Sequence, residues 1–183
     1  MSLKKNLLLL LVLMVGVVYF QYKVKDRNDS LSTIKVGVLH SLTGTMSREG
    51  KSVSDATLFA IDQINKSGGV LGRKIEPILL DGKSESNVFE THAYHLIVKE
   101  KVAAIFGCWT SACRKTIKPI VETYNSLLFY PLQYEGLEVS KNIIYTGLTP
   151  NQQVLPTLAW MAERYGKRVY IVGSVATLKS PKN

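Results

Sequence analysis

The 183-residue chain is 46% hydrophobic and 20% charged, a globular balance that excludes wholesale disorder and suits one domain or part of a larger one. Its formal charge of +9 and pI near 9.5 raise nucleic acid and membrane surfaces as partners. The Lys and Arg residues are scattered, with no basic stripe interleaved with aromatics, which argues against nucleic acid.

In chain order, Lys4 and Lys5 precede an uncharged apolar stretch over residues 7–20, the n-region and h-region pattern of an export signal. No small-x-small cleavage site follows, and no Cys follows the stretch to take a lipid. Two outcomes stay open: unusual cleavage, or retention of residues 1–22 as a signal anchor. Tyr19, Phe20 and Tyr22 suit a membrane–water boundary and Lys23 can snorkel to it, which favours an anchor with the body outside the cytoplasm. Residues 23–33 are polar and aperiodic and read as a linker.

Regular structure is expected from residue 34. Residues 34–39 form an apolar-rich strand whose Gly37 implies close approach of a neighbour. After a loop containing Gly44 and Ser47, Val53, Ala56, Ala60, Ile61 and Ile64 share one helix face, and Gly68-Gly69 stops that helix. A second strand covers 75–80, with Pro77 arguing for an edge. A helix over 89–99, a strand over 102–106, a helix over 111–124, and strands over 127–130 and 142–146 follow. A helix over 151–165 and a strand over 168–173 complete the series. Strands alternating with helices at this spacing mean an α/β fold with a parallel, doubly wound sheet.

Two segments lie where such sheets bind ligands, beyond the carboxyl ends of strands. Gly107-Cys108-Trp109-Thr110-Ser111-Ala112 ends a strand and opens a helix, aiming backbone N–H groups and hydroxyls at one spot, although a Ser there also serves simply as a cap. Tyr130-Pro131-Leu132-Gln133-Tyr134-Glu135-Gly136 adds an amide, aromatic hydroxyls and a carboxylate. Facing each other, they would form a small pocket for a neutral, planar, hydrogen-bonding solute such as urea or a short amide. Catalytic and cofactor chemistry finds no support. Ser111 has no nearby His to activate it, the Gly68-Gly69 cluster follows a helix and lacks GK[ST], and His92 and His95 lack a third metal ligand. Cys108 and Cys113 flank the turn, and a strained or absent disulfide is expected.

The stretch from residue 34 to 173 resembles the urea and short-chain amide binding proteins, within the branched-chain-amino-acid type of ABC-transporter solute-binding proteins. The matching text includes residues 34–46, Asp62-Gln63-Ile64-Asn65, residues 68–73, residues 106–111, residues 129–136 and Thr149-Pro150-Asn151-Gln152-Gln153. Trp109 and Gln133 stand closer to the urea branch than to the amide regulators. The resemblance implies a type I periplasmic-binding fold: a two-lobed clamp that closes on a solute, presents it to a permease, and uses no cofactor or metal. It implies ligand contacts at Trp109, Thr110, Ser111, Tyr130 and Tyr134, with Ser47 and Glu135 near the cleft. Residues 34–150 would be the first lobe, incomplete, and 151–174 the start of the second. Residues 175–183 form a divergent tail, so the chain reads as a fragment of the clamp. The same lobe would also serve as the input domain of a membrane-anchored signalling receptor.

Overall fold

Short apolar runs bounded by glycines and polar turns become strands, and the 3.6-periodic segments between them become helices. The computed structural model describes residues 13–21, 33–170 and 172. Its elements are β1 (Ile34–His40), α1 (Ser47–Lys66), β2 (Ile75–Asp81), α2 (Ser86–Tyr94, extended by a π-helical turn, His95–Lys99) and β3 (Ile105–Gly107). Then follow α3 (Ser111–Thr123), β4 (Leu128–Tyr130), β5 (Ile143–Tyr145) and α4 (Pro150–Tyr165).

The strands form one five-stranded sheet in the order β2-β1-β3-β4-β5, and every pair is parallel, as expected for a doubly wound fold. The chain runs from β1 outward to β2, then crosses back to place β3 on the other side of β1. Loops leaving β1 and β3 therefore diverge, and the crevice between them is where such sheets hold ligands.

Alternation along the strands fills both faces. Leu39, Ile105 and Leu128 join Phe89, Leu96, Ile117 and Val121 in the larger core, against α2 and α3. Val36 and Val38 meet Ile61 of α1 on the other face. Each fully buried aliphatic side chain stabilises the fold by roughly 1.5–3 kcal/mol. Gly37 is required by this packing, because a Cβ there would lie 2.7 Å from Leu96 Cδ1. Pro77 lies in β2, an edge strand, where its missing N–H costs least.

Some boundaries differ from expectation. Helix α2 opens at Ser86 rather than residue 89, because its first turn is built from polar residues outside the apolar period; Phe89 N donates to Glu85 O at 3.1 Å. It closes through a π turn, with Glu100 N donating to His95 O, before Lys101 turns to φ 55°. The strand expected over 168–173 is not formed at residues 168–170 or 172: a strand exists by pairing, and these residues lie in no ladder. Residues 171 and 173 lie outside the described residues, as do most of the leader, the linker up to residue 32 and the tail over 175–183. Residues 13–21 are helical, and no helix among the described residues is long and apolar enough to cross a membrane.

Candidate functional site

The turn from β3 into α3 is pinned at each step. Gly107 ends the strand because a Cβ there would meet Leu39 O at 2.3 Å. Cys108 and Cys113 are joined in a disulfide, with Cα atoms 6.3 Å apart, so of the two alternatives left open by the sequence the bridge is formed rather than absent. The reason is geometric: the chain doubles back into α3, bringing the helix's first turn beside the strand's end, within the span a disulfide closes. Thr110 is the N-cap, its Oγ1 accepting from Cys113 N at 3.2 Å. Capping therefore falls to Thr110, and the Ser111 hydroxyl accepts instead from Arg114 Nη1 at 3.1 Å.

The loop after β4 meets this turn. Tyr130 is buried, and its hydroxyl donates to Trp109 O at 3.0 Å, tying β4 to the turn. Burial raises its pKa despite the nearby Arg114 charge. Tyr134 stacks on Tyr145 with ring centroids 4.2 Å apart. Beneath both rings lies Arg114, whose Nε donates to Glu138 Oε1 at 2.8 Å and whose Nη2 donates to Glu135 Oε2 at 2.9 Å. Tyr145 donates its hydroxyl to Glu138. Burial opposes ionisation of Glu135, yet hydrogen bonds from Ser111 and Arg114 outweigh it and hold the carboxyl down to about 2.

Trp109, Thr110 and Ser111 face Tyr130, Gln133, Tyr134 and Glu135 across an open cavity of about 350 Å3, which Met46, Pro150 and Gln153 also line. An adjoining space of about 530 Å3 continues along the turn toward Ser41, Ser84, Ser86 and Lys115. Gln153 is presented by α4, whose start is fixed where Thr149 N donates to Gln152 Oε1 at 2.8 Å. Ser47 lines neither space. It is the half-buried first residue of α1, and its neighbour Met46 reaches both.

Sequence reasoning missed Arg114, Glu138 and Met46. Arg114 sits at i+3 from Ser111, on the same helix face, and that spacing was the available signal. Among the described residues no group of three or more His, Cys, Asp or Glu is placed to hold a metal ion; His95 Nε2 lies 3.5 Å from Glu100 Oε1.

Comparison with known proteins agrees with this topology. The model of the periplasmic binding protein domain matches residues 34–178. The Leu/Ile/Val-binding protein BraC3 of Rhizobium johnstonii is 27% identical over 146 residues, 76% of this chain and 39% of its own length. The leucine binding protein LivK of Thermotoga maritima superposes with a TM-score of 0.66 at 27% identity, covering 73% of this chain and 38% of that one. A solute binding protein of an ABC transporter from Rhodopseudomonas palustris, in complex with 3,4-dihydroxybenzoic acid, gives 0.65 at 26% identity, covering 73% and 37%. The chain spans about two-fifths of the length of these relatives. With the family model covering most of the sequence and the parallel sheet matching solved members, the chain belongs to the periplasmic binding protein domain family, with a type I lobe similar to those of the branched-chain-amino-acid-binding proteins.

Proposed function

We propose that the chain is part of an extracytoplasmic solute-binding protein that delivers its solute to an ABC permease, and that the solute is urea or a short-chain amide. The observation that carries this reading is the cavity in which the Trp109–Ser111 turn faces the loop from Tyr130 to Glu135. Relatives in the family are described with branched-chain amino acids or a dihydroxybenzoate, so the scaffold accepts different chemistries and the side chains make the choice. Here the wall combines three aromatic side chains with hydroxyls, two primary amides and one carboxylate. Among the described residues lining this smaller cavity none is cationic, which suits a solute without a carboxylate. A planar neutral amide would lie against Trp109 or Tyr134, donate to Glu135 or Gln133, and accept from a hydroxyl. The work is binding without turnover, with the leader as the export signal or tether.

The test follows the backbone amides of Thr110 and Ser111 and the Trp109 indole by NMR, while the chain is titrated with millimolar urea, acetamide or leucine. Saturable shifts with urea or acetamide are expected. Saturation by leucine alone would overturn the urea or amide assignment, and no saturation with any solute would overturn the binding-protein reading.

A further inference from the structure

Arg114 is a group that the proposed solute would not touch, yet it holds much of what the solute would touch. Its side chain is 0% exposed, whereas those of its partners Glu138 and Glu135 are 13% and 51% exposed. A cation buried this deeply costs several kcal/mol unless it is paired and hydrogen-bonded. It binds Ser111 at the head of α3, Glu135 and Glu138 in the loop after β4, and its guanidinium carbon lies 4.7 Å from the centre of the Tyr130 ring. One side chain thus bolts together two loops that are distant in sequence and form opposite walls of the cavity.

The partners divide the charge unequally. Glu138 is consumed internally by Arg114 and the Tyr145 hydroxyl, with Lys118 nearby. Glu135 lines both spaces, and among the described residues Lys115 is the other charged group lining the adjoining one. Arg114 beneath Glu135 offsets the negative potential that this carboxylate would otherwise project into the cavity. A fixed dipolar wall of this kind suits a neutral solute with N–H groups, and it reduces the attraction for a cation of the same shape.

We infer that Arg114 is a specificity-determining positioning residue, which makes the cleft prefer a neutral planar solute over its isosteric cation by holding Ser111 and Glu135 from beneath. The inference rests on the urea or amide reading above. Urea and guanidinium are the matched probes, being planar, of similar size, and different in charge.

The experiment titrates millimolar urea and guanidinium chloride at constant ionic strength into the wild-type chain, Arg114→Gln, and Arg114→Gln/Glu138→Gln. The double variant is included because Arg114→Gln alone strands the buried Glu138 and endangers folding, whereas half-exposed Glu135 keeps its solvent. The wild-type chain is expected to prefer urea, and the ratio of urea to guanidinium affinity to fall by about tenfold in whichever variant folds, the order expected for one uncompensated charge at a partly exposed site. If both affinities fall together with the ratio unchanged, or if both variants unfold, Arg114 is structural only and the inference is overturned while the urea reading stands. If the wild-type chain binds neither probe, the urea reading fails and takes the inference with it.

Discussion

The end of β2 and the loop after β4 each carry a carboxylate held near the same pKa, by different means. Asp81, at the end of β2, accepts from Leu42 N at 2.7 Å, Thr43 N at 3.1 Å, Lys83 N at 2.8 Å and the Thr43 hydroxyl at 2.6 Å. Burial opposes ionisation there too, and these bonds bring the carboxyl to about 2. Ser84 completes the lacing, accepting from Met46 N and donating to Thr43 O. The Asp81 carboxylate lines neither cavity, although Ser84 beside it borders the adjoining space. Glu135 reaches about 2 through Ser111 and a buried guanidinium, and its carboxylate borders a cavity. A depressed carboxylate is therefore no marker of a site by itself; what matters is whether the group closes a loop or borders a space.

Acid unfolding gives the largest test of that contrast, because both carboxylates should stay silent until low pH. Their folded pKa values lie below the ordinary 3.8 and 4.5, so their contribution is complete above those values and is lost as pH falls toward about 2. Any loss at higher pH needs another group. His40, ending β1 beneath the Asp81-laced loop, is buried with both ring nitrogens lacking a hydrogen-bond partner, and burial lowers its pKa from 6.5 to about 4. Between those values the unfolded chain takes a proton that the fold refuses, so stability is complete above 6.5 and declines toward 4. The decline is at most about 3 kcal/mol. Thermal unfolding from pH 7 to 5, above the range in which the carboxylates begin to matter, should show this limb in the wild-type chain and a flat profile in His40→Leu; a sloping profile in the variant would assign the limb to another group and undo the distinction.

The second test compares substitutions at equal pKa. Asp81→Ala removes four hydrogen bonds that hold the loop together, at a cost of about 2 kcal/mol. Glu135→Gln keeps shape and hydrogen bonding at a half-exposed position and should cost less than about 1 kcal/mol, appearing instead as weaker solute binding. Chemical denaturation of both variants measures the difference, and equal costs would make Glu135 a structural clamp like Asp81.

Much of this was legible in the residues, and what was not follows a pattern. Apolar runs such as 34–39 and 75–80, Pro77 on an edge and Gly37 under a neighbour all declare themselves, because strand burial and backbone sterics act locally. The facing of Trp109–Ser111 and Tyr130–Glu135 followed from topology, since parallel strands deliver their carboxyl-end loops to one rim. Arg114 was hidden because a helical arginine reads as a solvated face until the glutamates that bury it are found, and these lie 21 and 24 residues away. The Cys108–Cys113 bridge was hidden because spacing does not state where Cβ vectors point. Ser47 was expected near the cleft, and it is its neighbour Met46 that lines the two spaces, because sequence order does not say which residue at a helix's start faces the crevice.

The smallest effect separates two neighbouring hydroxyls in the site itself. Thr110 Oγ1 caps α3, whereas Ser111 Oγ takes its hydrogen bond from Arg114 and lies in the wall of the cavity. Thr110→Ala should therefore lower stability by about 1 kcal/mol, the usual cost of an N-cap. The disulfide holds the turn's ends in place, so loss of the cap frays the helix start without releasing the strand. Ser111→Ala removes no cap and leaves Arg114 with its two glutamates, so its unfolding midpoint should stay close to wild type while urea affinity falls. The two variants thus invert each other, one read by melting and the other by titration. If Ser111→Ala proved the more destabilising, the Arg114 cluster would depend on the serine for its own integrity, and the Ser111 hydroxyl would belong with the structural half of the molecule, beside Asp81.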